Sequence, residues 1–363
     1  MGTHMNVGIL GLGSYLPDHV RTNDWWPSAD VEGWKKKRMN RMTRGAIPEG
    51  IPHTEGVLLT AAEMDRNAAD PFDGGLERRV IADDQTSCDM ETLAAERALA
   101  DAGLTGADIG LLLLTSTVPD YLCANNASPL NMRLGMRPDV LSLETNGACN
   151  GFMLQLQTAD LILRSGRCRY ALVVQSSPIS RLMDRRDAHS VWYGDGATAM
   201  VLGPVAEGRG ILSVVSRNDG TCIRALPACV EHDANPWHEG GKLALRTLDP
   251  LTGRRMLLTS ADLGKQVLGD CAREAGVTLS DVDFFACHQA SAWFRNAAQK
   301  ICGLEHARTV DTFSWAGNMT GANVPLVLEV GRRENLLKDG DLVAMYAGGG
   351  GMTWSGALVR WGR

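Results

Sequence analysis

Apolar positions along the chain fall into two alternating periods. Residues 90–101, 152–163, 263–274 and 292–302 carry them at helical spacing. Short apolar runs bounded by turn residues, at 109–114, 140–143, 170–174, 282–286 and 342–346, read as buried strands. The order of these elements repeats. Ala102-Gly103-Leu104-Thr105-Gly106-Ala107-Asp108-Ile109 returns as Ala275-Gly276-Val277-Thr278-Leu279-Ser280-Asp281-Val282, each copy lying between a helix-like segment and a strand. Leu163-Arg164-Ser165-Gly166 returns as Leu337-Lys338-Asp339-Gly340, and the 194–202 segment is answered by 349–358. Strands alternating with helices in two similar halves predict an α/β protein with a shared core, divided at 6–205 and 206–363.

Composition narrows this picture. The 363 residues, 44% hydrophobic and 21% charged, fit two domains or one large duplicated one. A net charge of −6 disfavours nucleic acid or an anionic membrane as main partner, and no apolar run approaches the length of a membrane span. Met1-Gly2-Thr3-His4 reads as a tag remnant with no signal-peptide pattern behind it, so a cytoplasmic location is expected. None of the nine cysteines forms a C-x-x-C pair or has a histidine at zinc-finger spacing. Buried free thiols are therefore expected, and no metal site.

Chemistry concentrates at a few points. In Gly147-Ala148-Cys149-Asn150-Gly151-Phe152, a cysteine stands between a strand and an amphipathic helix. Helix N–H groups and the macrodipole favour a thiolate there, and small neighbours let backbone donors approach a thioester carbonyl. Simple packing is the alternative reading. His288 ends an apolar strand, where polar side chains reach a cleft, or where a histidine is merely capped. Asn318, in Ala316-Gly317-Asn318-Met319-Thr320-Gly321, stands in the second half at the place read as that of Cys149 in the first; helix capping is its alternative role. A pseudo-twofold between the halves would bring these groups together.

Ala148-Cys149-Asn150-Gly151-Phe152, Tyr193-Gly194-Asp195-Gly196-Ala197, His288-Gln289-Ala290, Gly317-Asn318 and Gly348-Gly349-Gly350-Gly351-Met352-Thr353-Trp354 together resemble the signature set of the β-ketoacyl-ACP synthase III family, with His288 and Asn318 thirty positions apart as in that family. The resemblance implies the five-layered αβαβα thiolase fold built from two duplicated halves, a homodimer, and substrates that are CoA or acyl-carrier-protein thioesters, with no metal or redox cofactor. It implies that Cys149 takes an acyl group, that the N–H groups of Cys149 and Gly350 hold the oxyanion, and that His288 and Asn318 stabilise the enolate formed when a malonyl-type thioester loses CO₂.

Several positions depart from the family pattern. A segment around 24–74 is about thirty residues longer than the family's and carries Trp25-Trp26, Lys35-Lys36-Lys37-Arg38 and Arg41; it reads as a modified lid, a docking surface for an acidic carrier protein, or a solvated insertion. The arginine that clamps the CoA adenine in the family aligns near Ala188, with Arg185 and Arg186 displaced from it. Trp293 replaces a basic residue used in carrier docking, leaving Arg295 and Lys300 on the same helix. These changes favour a carrier-bound donor over free CoA. Cys123 falls where a larger side chain closes the family's acyl pocket, so a longer or bulkier acyl group is expected. The leading expectation is decarboxylative carbon–carbon bond formation in polyketide or other specialised biosynthesis. Transfer of the Cys149 acyl group to a hydroxyl or amine is the alternative, and a silent partner in a heterodimeric synthase is a third.

Overall fold

The computed structural model describes residues 5–42, 47–230 and 240–363, with backbone alone at 38–42. The leader Met1-Gly2-Thr3-His4 and the side chains of Arg38 and Arg41 lie outside the described residues. The chain runs through β1 (Val7–Tyr15), β2 (His19–Thr22), α1 (Ser28–Met42), α2 (Glu55–Arg66), β3 (Glu77–Val80), α3 (Ser87–Ala102), β4 (Leu111–Ser116), α4 (Ala127–Arg133), β5 (Leu141–Glu144), α5 (Gly151–Arg164), β6 (Ala171–Ser177) and β7 (Gly196–Pro204). It continues through β8 (Gly210–Asn218), β9 (Ala228–Cys229), β10 (Ala244–Leu245), α6 (Pro250–Ala275), β11 (Phe284–Cys287), α7 (Ala292–Ile301), α8 (Phe313–Ala316), α9 (Asn323–Arg333), β12 (Leu342–Gly349) and β13 (Thr353–Arg360).

The repeated sequence block is a helix stop followed by a strand start. Gly103 ends α3 at φ 68° and Gly276 ends α6 at φ 66°, a left-handed conformation that glycine adopts without a Cβ penalty. Thr105 with Asp108, and Thr278 with Asp281, then form the same capping box ahead of β4 and β11. Helix α6 begins well before the expected residue 263. Asp249 caps it by accepting from Leu251 N–H at 2.9 Å, and Pro250 occupies the first turn. Gly253, Arg254 and Arg255 in that turn had masked the apolar period.

Two sheets carry the duplication. One is ordered β1-β7-β6-β4-β5, the other β8-β13-β12-β11. In each, two antiparallel pairings lead to a parallel one: β6 with β4, and β12 with β11. Strands β4 and β6 are buried along their whole length because helices cover both faces. Helices α5 and α9 lie between the sheets, their Phe152, Leu156, Val324 and Leu328 sharing a core with Leu113, Val173, Met345 and Ala357. Helices α3 and α4 cover the outer face of the first sheet, and α6 and α7 that of the second. The layers therefore run α-β-α-β-α.

The 24–74 segment is a packed structure. Val57, Ala61 and Met64 of α2 meet Leu258 of α6, while Leu59 meets Ala297 and Ile301 of α7. A Cβ on Gly56 would stand 2.0 Å from the Asp262 carboxylate, so only glycine allows this approach. Thr54 caps α2 and donates its hydroxyl to Asp262. Trp34 of α1 packs with Trp26 and Val191.

Candidate active site

Cys149 lies in a single 3-10 turn, Ala148–Asn150, that leads into α5. The turn is entered through Ala148 at φ 49°, a left-handed conformation costly for a residue with a Cβ. Asn146 supports it: its Oδ1 accepts the Ala148 N–H at 3.0 Å. Below the turn, buried Asn150 donates to Ser355 Oγ at 2.9 Å and Thr353 Oγ1 at 3.2 Å, tying it to β13. Cys149 is half-buried and free. Burial pushes its thiol up to about 12, whereas the N-terminus of α5 favours the thiolate. The resting group is a thiol that ionises when its proton has an acceptor.

The second half contains the same turn. Thr320–Ala322 leads into α9, and Thr320 sits at φ 52° with its N–H donated to Asn318 Oδ1 at 2.8 Å. Counted from the two helices, the counterpart of Cys149 is Gly321, and the counterpart of Asn318 is Asn146. This corrects the placing of Asn318 opposite Cys149: Asn318 stands three residues earlier and holds the turn. A Cβ on Gly321 would lie 2.3 Å from Gln175 Oε1, so a side chain there would displace the Gln175 amide. Asn318 is fixed through its backbone as well, its N–H donating to Trp192 O at 2.7 Å. With Oδ1 engaged, its Nδ2 is the end left to donate.

His288 follows β11, its backbone N–H donating to Tyr346 O at 2.8 Å. Burial lowers the imidazole to about 4, and a backbone hydrogen bond to Thr320 acts the other way. The ring is therefore neutral at physiological pH. Its Nδ1 is buried without a partner among the described residues. Phe294, at 6.1 Å between ring centroids, packs edge-on against it. The hydrogen bond to Thr320 joins His288 to the turn that Asn318 holds.

The glycine turn after β12 closes the other side. A Cβ on Gly349 would meet Gly147 O at 2.7 Å and Asn150 N at 2.9 Å, so this glycine allows the turn to lie directly on the one carrying Cys149. Gly350 follows it, near the Leu226 carbonyl. Two further residues, Gln155 and Gln175, escaped sequence reasoning, and Tyr193 entered it only as part of a motif. Tyr193 is buried, and burial pushes its phenol up, with Cys149 and Asp187 adding to the effect. Gln175 lies between the N-termini of α5 and α9 and donates to Gln155 Oε1, which in turn braces Thr115 and Thr145 at 2.9 Å. Their amides stand at unremarkable places in the sequence, and only the packing of α5 on β6 brings them together.

The expected entrance residues part company. A cavity of about 310 Å³ is lined by Trp192, Leu226, Met256, Leu257 and, from the long segment, Trp34 and Met64. Cys149, His288, Asn318 and Gly350 are not among its lining residues; its links to them are Trp192, whose carbonyl accepts the Asn318 N–H at 2.7 Å, and Leu226, whose carbonyl lies near Gly350. It adjoins a wider mouth lined by Lys37, Asp184, Arg186, His189 and Arg246. Ala188 lines both spaces. Arg186 lies at the mouth and pairs with Asp184 at 3.0 Å; Arg185 is held over the Trp25 ring at 4.2 Å. Trp293 is buried in the α6–α7 core, and Lys300 pairs with Glu63 of α2 at 2.6 Å, so neither forms the open docking face expected of α7. Arg295 is partly buried, with its Nε unpartnered. Cys123 is exposed on the loop between β4 and α4. Among the described residues, no group of three or more His, Cys, Asp and Glu is placed to hold a metal, and no helix is long and apolar enough to cross a membrane.

Comparison with known proteins supplies a family. The pattern of 3-oxoacyl-[acyl-carrier-protein] synthase III matches residues 143–220, and that of its C-terminal region matches 272–361. The β-ketoacyl-[acyl-carrier-protein] synthase III of a Chelativorans species is 34% identical over 288 residues, 78% of this chain and 87% of that protein. That of Geobacillus kaustophilus is 33% identical over 99% of this chain and 100% of its own length. The crystal structure of 3-oxoacyl-[acyl-carrier-protein] synthase III from Aquifex aeolicus superposes with a TM-score of 0.77 at 26% identity, covering 98% of this chain and 100% of that one.

Proposed function

The chain belongs to the β-ketoacyl-ACP synthase III family of acyl-transferring thiolase-fold enzymes, and from that premise we propose that it joins an acyl group carried on Cys149 to a malonyl-type thioester. The observation that carries this reading is the pair of turns that brings Cys149 and Asn318 onto neighbouring helix entrances, with His288 hydrogen-bonded to one of them.

The reaction follows from these groups. Cys149 Sγ attacks the donor thioester carbonyl, the carbonyl oxygen becomes an oxyanion near the Cys149 and Gly350 N–H groups, and the carrier thiol leaves with the cysteine proton. A malonyl-type thioester then loses CO₂. The electron pair from the broken bond moves onto its thioester oxygen, where neutral His288 and Asn318 Nδ2 serve as donors. The enolate carbon attacks the acyl-cysteine, and collapse of the adduct returns Cys149 and releases a β-ketoacyl thioester. No step requires a charged histidine, which suits the low basicity of His288.

The donor in this reading is bound to an acyl carrier protein, with CoA thioesters as the other family substrate, and the pathway is a specialised one such as polyketide assembly. Two departures support it: Ala188 lines the mouth where the adenine-clamping arginine is expected, and Cys123, exposed on the β4–α4 loop, is smaller than the side chain the family carries at that position. A cytoplasmic homodimer accompanies the reading, supported by β5, which is an open sheet edge exposing Leu141 and Leu143. The test is the intact mass of the enzyme after exposure to acyl-ACP and acyl-CoA donors, followed by malonyl-ACP. Expected is a donor-specific adduct on Cys149 that malonyl-ACP discharges as a β-ketoacyl product with release of CO₂. An adduct discharged only by hydroxyl or amine acceptors would replace condensation with simple acyl transfer.

A further inference from the structure

Helix α2 occupies the outer face of α7. Glu63, itself buried, holds Lys300 at 2.6 Å, and Leu59 closes over Ala297 and Ile301. Trp293, the second residue of α7, faces the core. The segment that covers this face also supplies a basic helix elsewhere. Lys35, Lys36 and Lys37 are exposed on α1, and Lys37 lines the mouth beside Arg246. Lys242 joins them: hydrogen bonds from Arg186 chiefly hold the Asp184 carboxyl down to about 2, and the charge of Lys242 adds to their effect.

The acidic groups at this mouth are already engaged, Asp184 with Arg186 at 3.0 Å and Asp187 with His189 at 3.0 Å. Among the described residues, Lys242 acts on Asp184, and none of Lys35, Lys36, Lys37 and Arg246 has an ion-pair partner. Arg246 Nε is buried and unpartnered there. The protein as a whole carries −6, so an acidic partner is repelled by the average surface and drawn to this local excess of cations.

We infer that the long N-terminal segment moves the carrier-protein contact from α7 to the mouth. The acidic face of the carrier lies on the exposed lysines of α1 and on Lys242, and the phosphodiester of its pantetheine arm passes Lys37 and Arg246 into the cavity lined by Trp192 and Leu226. This rests on the reading of the protein as carrier-dependent, which the experiment separates from the docking itself.

The experiment compares kcat/KM for one acyl group presented on a carrier protein and as an N-acetylcysteamine thioester, in wild type, Lys35→Glu/Lys36→Glu and Lys300→Gln, at two salt concentrations. In the double variant the carrier-bound donor is expected to lose about tenfold more than the small thioester, mostly through KM, with the difference shrinking as salt rises. Lys300→Gln is expected to move both donors equally. Equal losses for both donors in the double variant, or a carrier-selective loss in Lys300→Gln, would overturn the docking inference. A wild type that accepts the small thioester but no carrier-bound donor would instead remove the reading on which it rests.

Discussion

Asn146 and Asn318 hold the same station in the two halves of the protein: each places its amide oxygen on the N–H of the residue two positions on, at 3.0 Å and 2.8 Å, and each of those residues sits at positive φ. A left-handed conformation costs an alanine or threonine about 1 kcal/mol or more, so each turn persists because its asparagine satisfies the strained N–H. In one half the turn carries Cys149, the proposed nucleophile. In the other it fixes the asparagine itself as a donor.

Asn146→Ala should therefore slow acylation of Cys149 by about tenfold, the effect of loosening a reactive group rather than removing it. Asn146→Asp, which keeps the acceptor, should recover most of the loss. Rapid-quench measurement of the acyl-enzyme burst reads this directly. An unchanged burst in Asn146→Ala would show that the turn needs no such support.

Gly349→Ala puts a methyl group 2.7 Å from the Gly147 carbonyl, a contact that the surrounding buried backbone cannot yield to cheaply. Displacing the Cys149 turn by even part of that distance should lower kcat at least about a hundredfold. Gly350→Ala, whose added carbon meets nothing nearer than 3.6 Å, should be milder. Steady-state kinetics of the two variants, with circular dichroism to confirm folding, checks the order.

Burial raises the Cys149 thiol to about 12, so the thiolate fraction in the free enzyme should climb across the alkaline range without levelling off. Alkylation of Cys149 by iodoacetamide is expected to rise about tenfold for each pH unit between 7 and 9. A plateau near neutral pH would mean that the α5 N-terminus outweighs burial.

Glu91 is fully buried on α3 and accepts hydrogen bonds from Ser176 and from Asn126 at 3.2 Å. Desolvation raises its carboxyl to about 7, with Asp120 adding to the rise. A carboxyl raised on folding gives its full stability below the unfolded value near 4.5 and loses it as pH climbs through about 7. Above that the cost is on the order of 3 kcal/mol. Glu91→Gln should remove this dependence, so that the variant gains on wild type in denaturant midpoint as pH rises from 5 to 8. Parallel curves for the two proteins would show the carboxyl to be compensated.

The elements and their duplication were legible because they rest on local signals. Apolar period, the Gly103 and Gly276 helix stops and the Thr–Asp capping boxes each act within a few residues, and the repeat doubles every signal. The five-layered fold and the acyltransferase family, expected from the motif set, are borne out by the layers seen and by the relatives matched. Helix α6 was cut short because its first turns are polar and held by a cap, which periodicity does not register.

The entrance was not legible, and neither was the correspondence between the turns. Which residue opposes Cys149 depends on a count from helix starts that begin later than their motifs, and Gly321, the true counterpart, carries no side chain to announce itself. The family resemblance places Trp293 and Lys300 at a docking surface on α7; whether that face stays open depends on α2, which folds back from more than two hundred residues away to pair Glu63 with Lys300. By itself the sequence determined the setting of Cys149, the two halves and the residue types available to the proposed chemistry, since these follow from local conformation and repetition. Only the tertiary structure decided which of those residues face one another and which faces are covered, since burial and pairing between distant segments are properties of the packed chain.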